Sequence, residues 1–245
     1  MNLIQVIILS IVEGITEFLP VSSTGHLILA SNLLHISQTN FVKSFEIAIQ
    51  LGAILAVVGL YWQKLFNYWS KILAGFLPTA FIGFFAYPFI KSQLIGNIQV
   101  VLWSLFLGGL VLLFVDRISL KKGTLNIQSA LVIGLFQSVS VIPGVSRAAA
   151  TIIGGLLVGL DRQSAVEFSF LLAVPTMFAA TGLDLVKSGW AFTSNEWLLL
   201  LVGFVGSLVT AWLAVRFLLS FIKSHNFFWF GVYRIALSLL WWIVI

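Results

Sequence analysis

The sequence predicts an all-α polytopic integral membrane protein built from two inverted repeats. Hydrophobic residues make up 60% of the 245 positions, and charged residues only 9%. A soluble domain carries charge on roughly a quarter of its residues. The apolar residues also form long runs separated by short polar breaks, as expected when hydrocarbon rather than water is the main solvent.

Six segments are long enough to cross a bilayer of about 30 Å as helices. They lie near residues 44–62, 72–91, 98–115, 166–186, 197–219 and 227–245. Two further apolar segments, 3–35 and 127–160, are interrupted in the middle. Each half of an interrupted segment is short for a helix that crosses the whole bilayer. We therefore predict two re-entrant helical hairpins, which are tolerated at membrane depth only when buried in protein or lining a cavity.

The two interrupted segments resemble each other, which predicts an internal repeat. The same offset of 124 residues maps Glu13 onto Gln137 and Ser22 onto Ser146. Three predicted spans follow each hairpin. Because three is odd, the second repeat begins on the opposite side of the membrane, and the repeats are predicted to be inverted. The hairpin tips are then expected to meet near the midplane.

The whole chain is predicted to form a single membrane domain, with repeat one at 1–116, a linker at 117–126 and repeat two at 127–245. Basic residues collect on one predicted side, which the positive-inside tendency makes cytoplasmic. These residues are Lys64, Lys71, Arg117, Lys121, Lys122, Arg162, Arg216 and Lys223. Both termini are then expected on the outer side.

Four ionisable side chains stand out inside the hairpins: Glu13, Glu17, His26 and Arg147. Ionisable groups in hydrocarbon cost about 2.5–3.5 kcal/mol or more each, so they indicate function by default. Glu13 and Glu17 share one face of a helix. Two carboxylates this close need a proton or a cation, and Arg147 or a divalent metal is a candidate. The alternative is a helix end with two solvated carboxylates.

The first break, at residues 20–25, places Ser22, Ser23 and Thr24 before His26 at the start of a helix. A serine there is suited to cap the helix, and free N–H groups at a helix N-terminus suit phosphate. The alternative is an ordinary capped helix with a packed histidine. Capping, however, explains one hydroxyl and not three with a histidine.

The second break, at residues 143–147, places Ser146 and Arg147 at the start of another helix. A cation there opposes the helix dipole, which a bound anion would offset. A guanidinium fork also matches phosphate oxygens. The alternative is a buried Arg147 paired with Glu13 or Glu17, and both can hold. Three further polar residues are expected to support the site: Gln50, Gln137 and Ser169.

Several other classes of protein are excluded by the sequence. The chain has no cysteine, so it has no disulfide or thiolate chemistry. It has no Walker loop, dinucleotide fingerprint or zinc-binding motif. Nucleic acid is not an expected partner, because the basic residues form no stripe and the aromatic residues lie in apolar spans.

The stretch at 13–26, EGITEFLPVSSTGH, is very close to the signature of the undecaprenyl-diphosphate phosphatase family, which is linked to bacitracin resistance. PGVSR at 143–147 resembles the second family signature. IQLGAILAVV at 49–58 and FSFLLAVP at 168–175 resemble further family segments. The second signature usually continues Ser-Arg-Ser-Gly, whereas Ala148 and Ala149 follow the arginine here.

The resemblance implies hydrolysis of undecaprenyl diphosphate to the monophosphate and inorganic phosphate, which recycles the carrier lipid for cell-wall synthesis. It matches the following residues to the family's site: Glu13, Glu17, His26, Arg147, Ser22, Ser23 and Thr24. It implies a divalent cation, Mg²⁺ or Ca²⁺, with Glu13 and Glu17 as candidate ligands. It also implies a bacterial inner membrane and an active site that faces the extracytoplasmic side.

The mechanism expected from these residues holds the terminal phosphate on Arg147 and the two helix N-termini. His26 would act as general acid and base or as nucleophile, and Ser23 or water is the rival nucleophile. A transporter or flippase of an anionic polyprenyl lipid is the alternative function, because inverted repeats with broken helices also describe secondary transporters. The expected partners are the polyprenyl diphosphate and membrane lipid. A second copy of the chain, in a homodimer, is a further candidate partner.

Overall fold

The computed structural model describes residues 1–89, 93–94, 97–117, 122–188 and 192–244. These residues form ten α-helices: α1 Leu3–Thr16, α2 Ser23–Leu33, α3 Asn40–Asn67, α4 Trp69–Phe89, α5 Ile98–Val115, α6 Ile127–Ser138, α7 Arg147–Leu157, α8 Arg162–Ser188, α9 Ser194–Phe221 and α10 Phe228–Val244. A short 3₁₀ helix, Val139–Val141, follows α6. Lys121, residues 90–91 of a predicted span and residue 245 lie outside the described residues.

Within the described ranges, five helices are long and apolar enough to cross a membrane: α3, α4, α5, α8 and α9. The predicted sixth span corresponds to α10, whose 17 residues rise about 25 Å. Large apolar side chains such as Phe84 and Trp229 stay exposed on the outer faces. Hydrocarbon accommodates such a surface, whereas water does not. The chain is a multi-pass α-helical membrane protein.

The two hairpins form where the sequence predicts them, from α1 with α2 and from α6 with α7. Both begin with a capping box, at Asn2 and Asn126. Both break at a serine with a positive φ, 74° at Ser22 and 75° at Ser146. Asn2 and Asn126 are 124 positions apart, as are Ser22 and Ser146, which is the offset of the predicted repeat. The matching turns support the predicted repeat, whose boundaries and inversion in the membrane stay predictions.

Each hairpin packs against a long helix from the other half of the chain: α1 against α9, and α6 against α4. Glycines permit this approach. A Cβ atom on Gly14 would lie 1.9 Å from Oγ1 of Thr210, and one on Gly134 would lie 2.1 Å from the carbonyl oxygen of Gly75. Small residues at such crossings are typical of helix packing in membranes. The crossings hold the two hairpin tips side by side.

Polar contacts tie several helix ends together on the side that is predicted to be cytoplasmic. Lys64, near the end of α3, pairs with Glu167 in α8. Arg162 Nε lies 2.6 Å from Oδ1 of Asp116, just after α5. The other carboxylate oxygen of Asp116 accepts a 2.7 Å hydrogen bond from the backbone N–H of Phe227, just before α10. Lys64 and Arg162 therefore lie on one side, as the charge pattern predicts.

Candidate active site

The two hairpin breaks meet at one cavity of about 270 Å³. Residues of α3, α4 and α8 complete its wall. The predicted site residues that line it are Glu17, Ser22, Ser23, Thr24, Gln50, Ser146 and Arg147. The structure therefore brings together polar groups from both breaks, which the sequence separates by more than a hundred positions.

An ion pair across the cavity links the two hairpins. Arg147 Nη2 donates a 2.9 Å hydrogen bond to Oε1 of Glu17, and the side chains are only 11% and 8% exposed. Arg147 Nη1 donates to the carbonyl oxygen of Ser169 at 2.9 Å. The buried Nε has no hydrogen-bond partner within the described part of the chain. The guanidinium thus binds a carboxylate and a backbone carbonyl, and one buried N–H donor stays unpaired.

Glu17 receives hydrogen bonds from both hairpins. The hydroxyl of Ser23, at the start of α2, donates to Oε2 of Glu17, while Arg147 occupies Oε1. A hydroxyl that donates to a carboxylate is placed for transfer of its proton to that carboxylate. Ser23 and Glu17 both line the cavity, so this pair faces the space where a phosphate would lie.

The two capping serines have an unusual backbone. Ser22 and Ser146 adopt φ values of 74° and 75°, a region that costs about 1–3 kcal/mol for a residue with a side chain. Their hydroxyl oxygens accept hydrogen bonds from the N–H groups of Gly25 and Ala149 at 3.3 and 3.1 Å. Neither hydroxyl donates to an acceptor in the part of the chain that the structure describes, so each hydroxyl hydrogen is available to a ligand in the cavity. Such strain at two facing helix starts indicates a binding role.

Glu13 lies behind the cavity, one helical turn from Glu17, and is fully buried. Neither carboxylate oxygen accepts a hydrogen bond from a donor among the described residues, and the carboxyl group of Glu17 lies close enough to share a proton with it. The charged groups that act on it are Glu17, Glu46 and Arg147. An unpartnered buried carboxylate is costly unless a proton or a cation accompanies it.

A divalent cation fits this carboxylate pair only if the substrate shares in binding it. The described residues contain no group of three or more His, Cys, Asp or Glu side chains suited to a metal ion. Glu13 and Glu17 offer two carboxylates on one helical face. Mg²⁺ is usually bound by one or two carboxylates together with phosphate oxygens, so the residues present suit a cation that arrives with a diphosphate.

His26 does not line the cavity. Its Nδ1 lies 2.8 Å from the carbonyl oxygen of Ser22, and its Nε2 lies 2.6 Å from the hydroxyl of Tyr233 in α10. Because a carbonyl only accepts, Nδ1 carries a hydrogen, and in the neutral ring the Tyr233 hydroxyl donates to Nε2. The structure thus connects His26 to the backbone of the first break and does not bring it beside Glu17 and Arg147.

The predicted supporting residues lie around the cavity wall. Gln137 Nε2 donates to Oγ1 of Thr79 at 2.8 Å and to Oγ1 of Thr176 at 3.1 Å, and both threonines line the cavity. The Ser169 hydroxyl lies 2.6 Å from Oγ1 of Thr151. Gln50 reaches the cavity itself.

The sequence patterns that indicate the site do not identify four residues near it: Arg234, Tyr233, Thr79 and Thr176. Arg234 is completely buried in α10 and binds backbone carbonyl oxygens of both breaks. An arginine inside the predicted span 227–245 was a usable signal, because it carries the same cost that draws attention to Arg147. Tyr233 and the threonines carry no charge, so only the fold identifies them.

Comparison with known proteins gives one consistent result. The family model described as "Bacitracin resistance protein BacA" matches residues 6–240. A relative named undecaprenyl-diphosphatase from Aquifex aeolicus is 54% identical, and the match covers 97% of this chain and 96% of that protein. The protein of the same name from Thermus thermophilus is 49% identical, with 96% and 94% covered. Both hairpin breaks lie inside the residues that the family model matches, and the chain belongs to the BacA family of bacitracin resistance proteins.

Proposed function

We propose that this chain hydrolyses undecaprenyl diphosphate to the monophosphate and inorganic phosphate. The observation that carries the proposal is the contact between the hairpins, where Arg147 and Ser23 bind the two oxygens of Glu17 at one cavity. Relatives that cover almost the whole chain have the name undecaprenyl-diphosphatase. The same activity accounts for the family's description as bacitracin resistance proteins.

The terminal phosphate binds between the two helix starts in this proposal. Arg147 contributes its guanidinium, which lines the cavity, and Ser22 and Ser146 contribute hydroxyl hydrogens that the caps leave free. The N-termini of α2 and α7 add positive dipole ends. Phosphoryl transfer needs mainly this positioning and charge neutralisation. The prenyl chain extends between the helices or into lipid.

Ser23 is the nucleophile that the geometry favours over His26, because it lines the cavity and donates to Glu17. Its oxygen attacks the terminal phosphorus, its proton passes to Glu17, and the bond from phosphorus to the lipid monophosphate breaks. Water then attacks the phosphoserine and supplies the oxygen and both hydrogens of the released phosphate. Glu17 returns its proton to Ser23. Direct attack by water, with Glu17 as base, is the rival.

A divalent cation, Mg²⁺ or Ca²⁺, belongs to the proposal as well. Glu13 and Glu17 would hold it together with phosphate oxygens, in keeping with the unpartnered carboxylate of Glu13. When bound, the cation neutralises charge that develops on the diphosphate. Before substrate arrives, Arg147 provides the positive charge beside Glu17.

The distribution of the basic residues supports the proposed membrane side of the site. If the side that carries Lys64 and Arg162 is cytoplasmic, as the positive-inside tendency predicts, the first hairpin enters from the opposite face. This supports a cavity that opens to the extracytoplasmic side of a bacterial inner membrane. Cysteine labelling of an otherwise cysteine-free chain tests this orientation in intact cells. A homodimer remains a hypothesis, which native mass spectrometry in detergent tests.

The decisive experiment is phosphate release in detergent micelles from undecaprenyl diphosphate or a shorter prenyl diphosphate. The wild-type protein is expected to release phosphate, and Arg147→Ala is expected to release none while remaining folded and monodisperse. Arg216→Ala is the matched control, because Arg216 is exposed and stacks 4.0 Å from the ring centroid of Trp212. Near-wild-type turnover in Arg147→Ala would end the proposal. Micelles have no sides, so a pure transporter releases no phosphate there.

A further inference from the structure

Arg234 lies in α10 with none of its surface exposed. No salt bridge joins it to a carboxylate within the ranges that the structure describes. Its guanidinium instead donates five hydrogen bonds, all to backbone carbonyl oxygens. The acceptors are Leu105 at 3.2 Å from Nε, Pro20 and Val145 at 3.2 and 3.1 Å from Nη1, and Ser104 and Gly144 at 2.9 and 3.0 Å from Nη2.

These five acceptors belong to three separate segments: the first break, the second break and one turn of α5. A helix break leaves carbonyl groups without helical partners, and each unpaired group at membrane depth costs several kcal/mol. A guanidinium has five N–H donors in a fixed planar fork. Here all five donors have acceptors, so one side chain satisfies the backbone of both breaks.

The acceptors are next to the residues of the proposed site. Pro20 lies three positions after Glu17 and three before Ser23, and Val145 lies two before Arg147. We propose that Arg234 is the positioning residue of this site: by binding the backbone of both breaks, it sets how the Glu17–Ser23 pair faces Arg147. This inference rests on the proposed function, and its role is distinct from that of Arg147, which contacts the cavity.

The packing of α5 against α10 supports the inference independently. A Cβ atom on Gly108 would lie 2.3 Å from Nη2 of Arg234, and one on Gly109 would lie 2.9 Å from the carbonyl oxygen of Gly231. Glycines at these positions let the helices approach closely. The guanidinium can therefore reach across α5 to the breaks, and a larger residue at position 108 would displace it.

The test compares Arg234→Lys with the control Arg216→Lys in detergent. Lysine keeps the charge but has three donors on one nitrogen, so it cannot bind five carbonyls in three segments. We expect kcat to fall about 100-fold, as misplacement of reacting groups by about 1 Å does. KM should change less than about threefold, because Arg147 and the capping serines remain. Hydrogen–deuterium exchange should rise in residues 17–22 and 143–147 together, with the control unchanged in both measurements.

Gly108→Ala is the second variant, since it displaces the same guanidinium without altering any charge, and it should give the same kcat loss and exchange pattern. Wild-type kcat in Arg234→Lys overturns the inference. So does a kcat loss that merely follows the folded fraction, or one without faster exchange in both breaks. An inactive wild-type protein would instead refute the proposed function, and the exchange experiment would still decide whether Arg234 holds the two breaks.

Discussion

Arg147 and Glu17 lie 130 positions apart in the sequence, and their side chains form a 2.9 Å hydrogen-bonded ion pair between the two hairpins. A buried pair of this kind repays its desolvation only with good geometry and further hydrogen bonds. Glu17 has the Ser23 hydroxyl, and Arg147 has the carbonyl of Ser169. A diphosphate in the cavity would compete with Glu17 for Arg147, which leaves the carboxylate better able to accept the proton of Ser23.

Replacing Glu17 with Gln is expected to lower kcat at least about 100-fold, because it removes the proton acceptor and leaves Arg147 without its counter-charge. Phosphate release in detergent measures the loss, and added Mg²⁺ should not restore it. In the double variant Glu17→Gln/Arg147→Lys, the loss of kcat should be smaller than the combined losses of the two single variants, because the residues act as one unit. Full additivity would contradict their coupling.

Ser23→Ala is expected to lower kcat about 10³-fold or more if Ser23 is the nucleophile, and to abolish any phospho-enzyme. Rapid quenching with radiolabelled terminal phosphate, followed by peptide mass spectrometry, should find the label on Ser23 in the wild-type protein. Ser31→Ala is the control, because Ser31 is a buried serine of the same helix that does not line the cavity. Unlabelled wild-type protein with a less than about tenfold loss in Ser23→Ala would favour direct attack by water.

Much of the fold is predictable because its determinants are local. Apolar length identifies the spans, and the interrupted runs identify the hairpins. The offset between Ser22 and Ser146 already indicates equivalent helix starts, and the structure gives these two serines nearly the same φ. The depth of each helix and the crossings at Gly14 and Gly134 are not predictable in this way, because they depend on contacts with distant helices.

The sequence predicts a site residue only where the side chain itself is energetically costly in an apolar segment. Charge in an apolar run reveals Glu17 and Arg147, and the fold joins them. The same argument applied to the span 227–245 would have identified Arg234. It could not have placed His26, since the orientation of that ring depends on the hydroxyl of Tyr233, more than two hundred positions later.

His26→Gln separates two roles for this histidine. A direct acid–base catalyst would lose nearly all activity in this variant, because an amide does not transfer protons at neutral pH. If His26 instead holds the carbonyl of Ser22 through Nδ1–H, a glutamine N–H can replace part of that contact, and kcat should stay within about tenfold of wild type. Tyr233→Phe should have a smaller effect of the same kind. Steady-state kinetics of both variants, with His225→Gln as the control at a loop position, measures the difference.

Glu13→Gln tests the proposed cation. Removing one of two carboxylate ligands should raise the concentration of Mg²⁺ needed for half-maximal activity at least about tenfold, because affinity depends on the number of charged ligands. Activity is measured against free Mg²⁺ after removal of metal with a chelator. Glu196→Gln, at the exposed start of α9, is the control. Chelator-resistant activity in the wild-type protein would exclude the cation.

Gly134→Ala and Gly59→Ala are a matched pair for the helix crossings. A Cβ atom on Gly134 would lie 2.1 Å from the carbonyl oxygen of Gly75, whereas one on Gly59 meets nothing within 4 Å. The first variant should destabilise the protein by about 1–3 kcal/mol through overpacking of α6 against α4. The second removes a helical glycine at no steric cost and should stabilise by about 0.5–1 kcal/mol. Melting temperatures in the same detergent compare them, and equal shifts would mean that α6 does not cross α4 at Gly75.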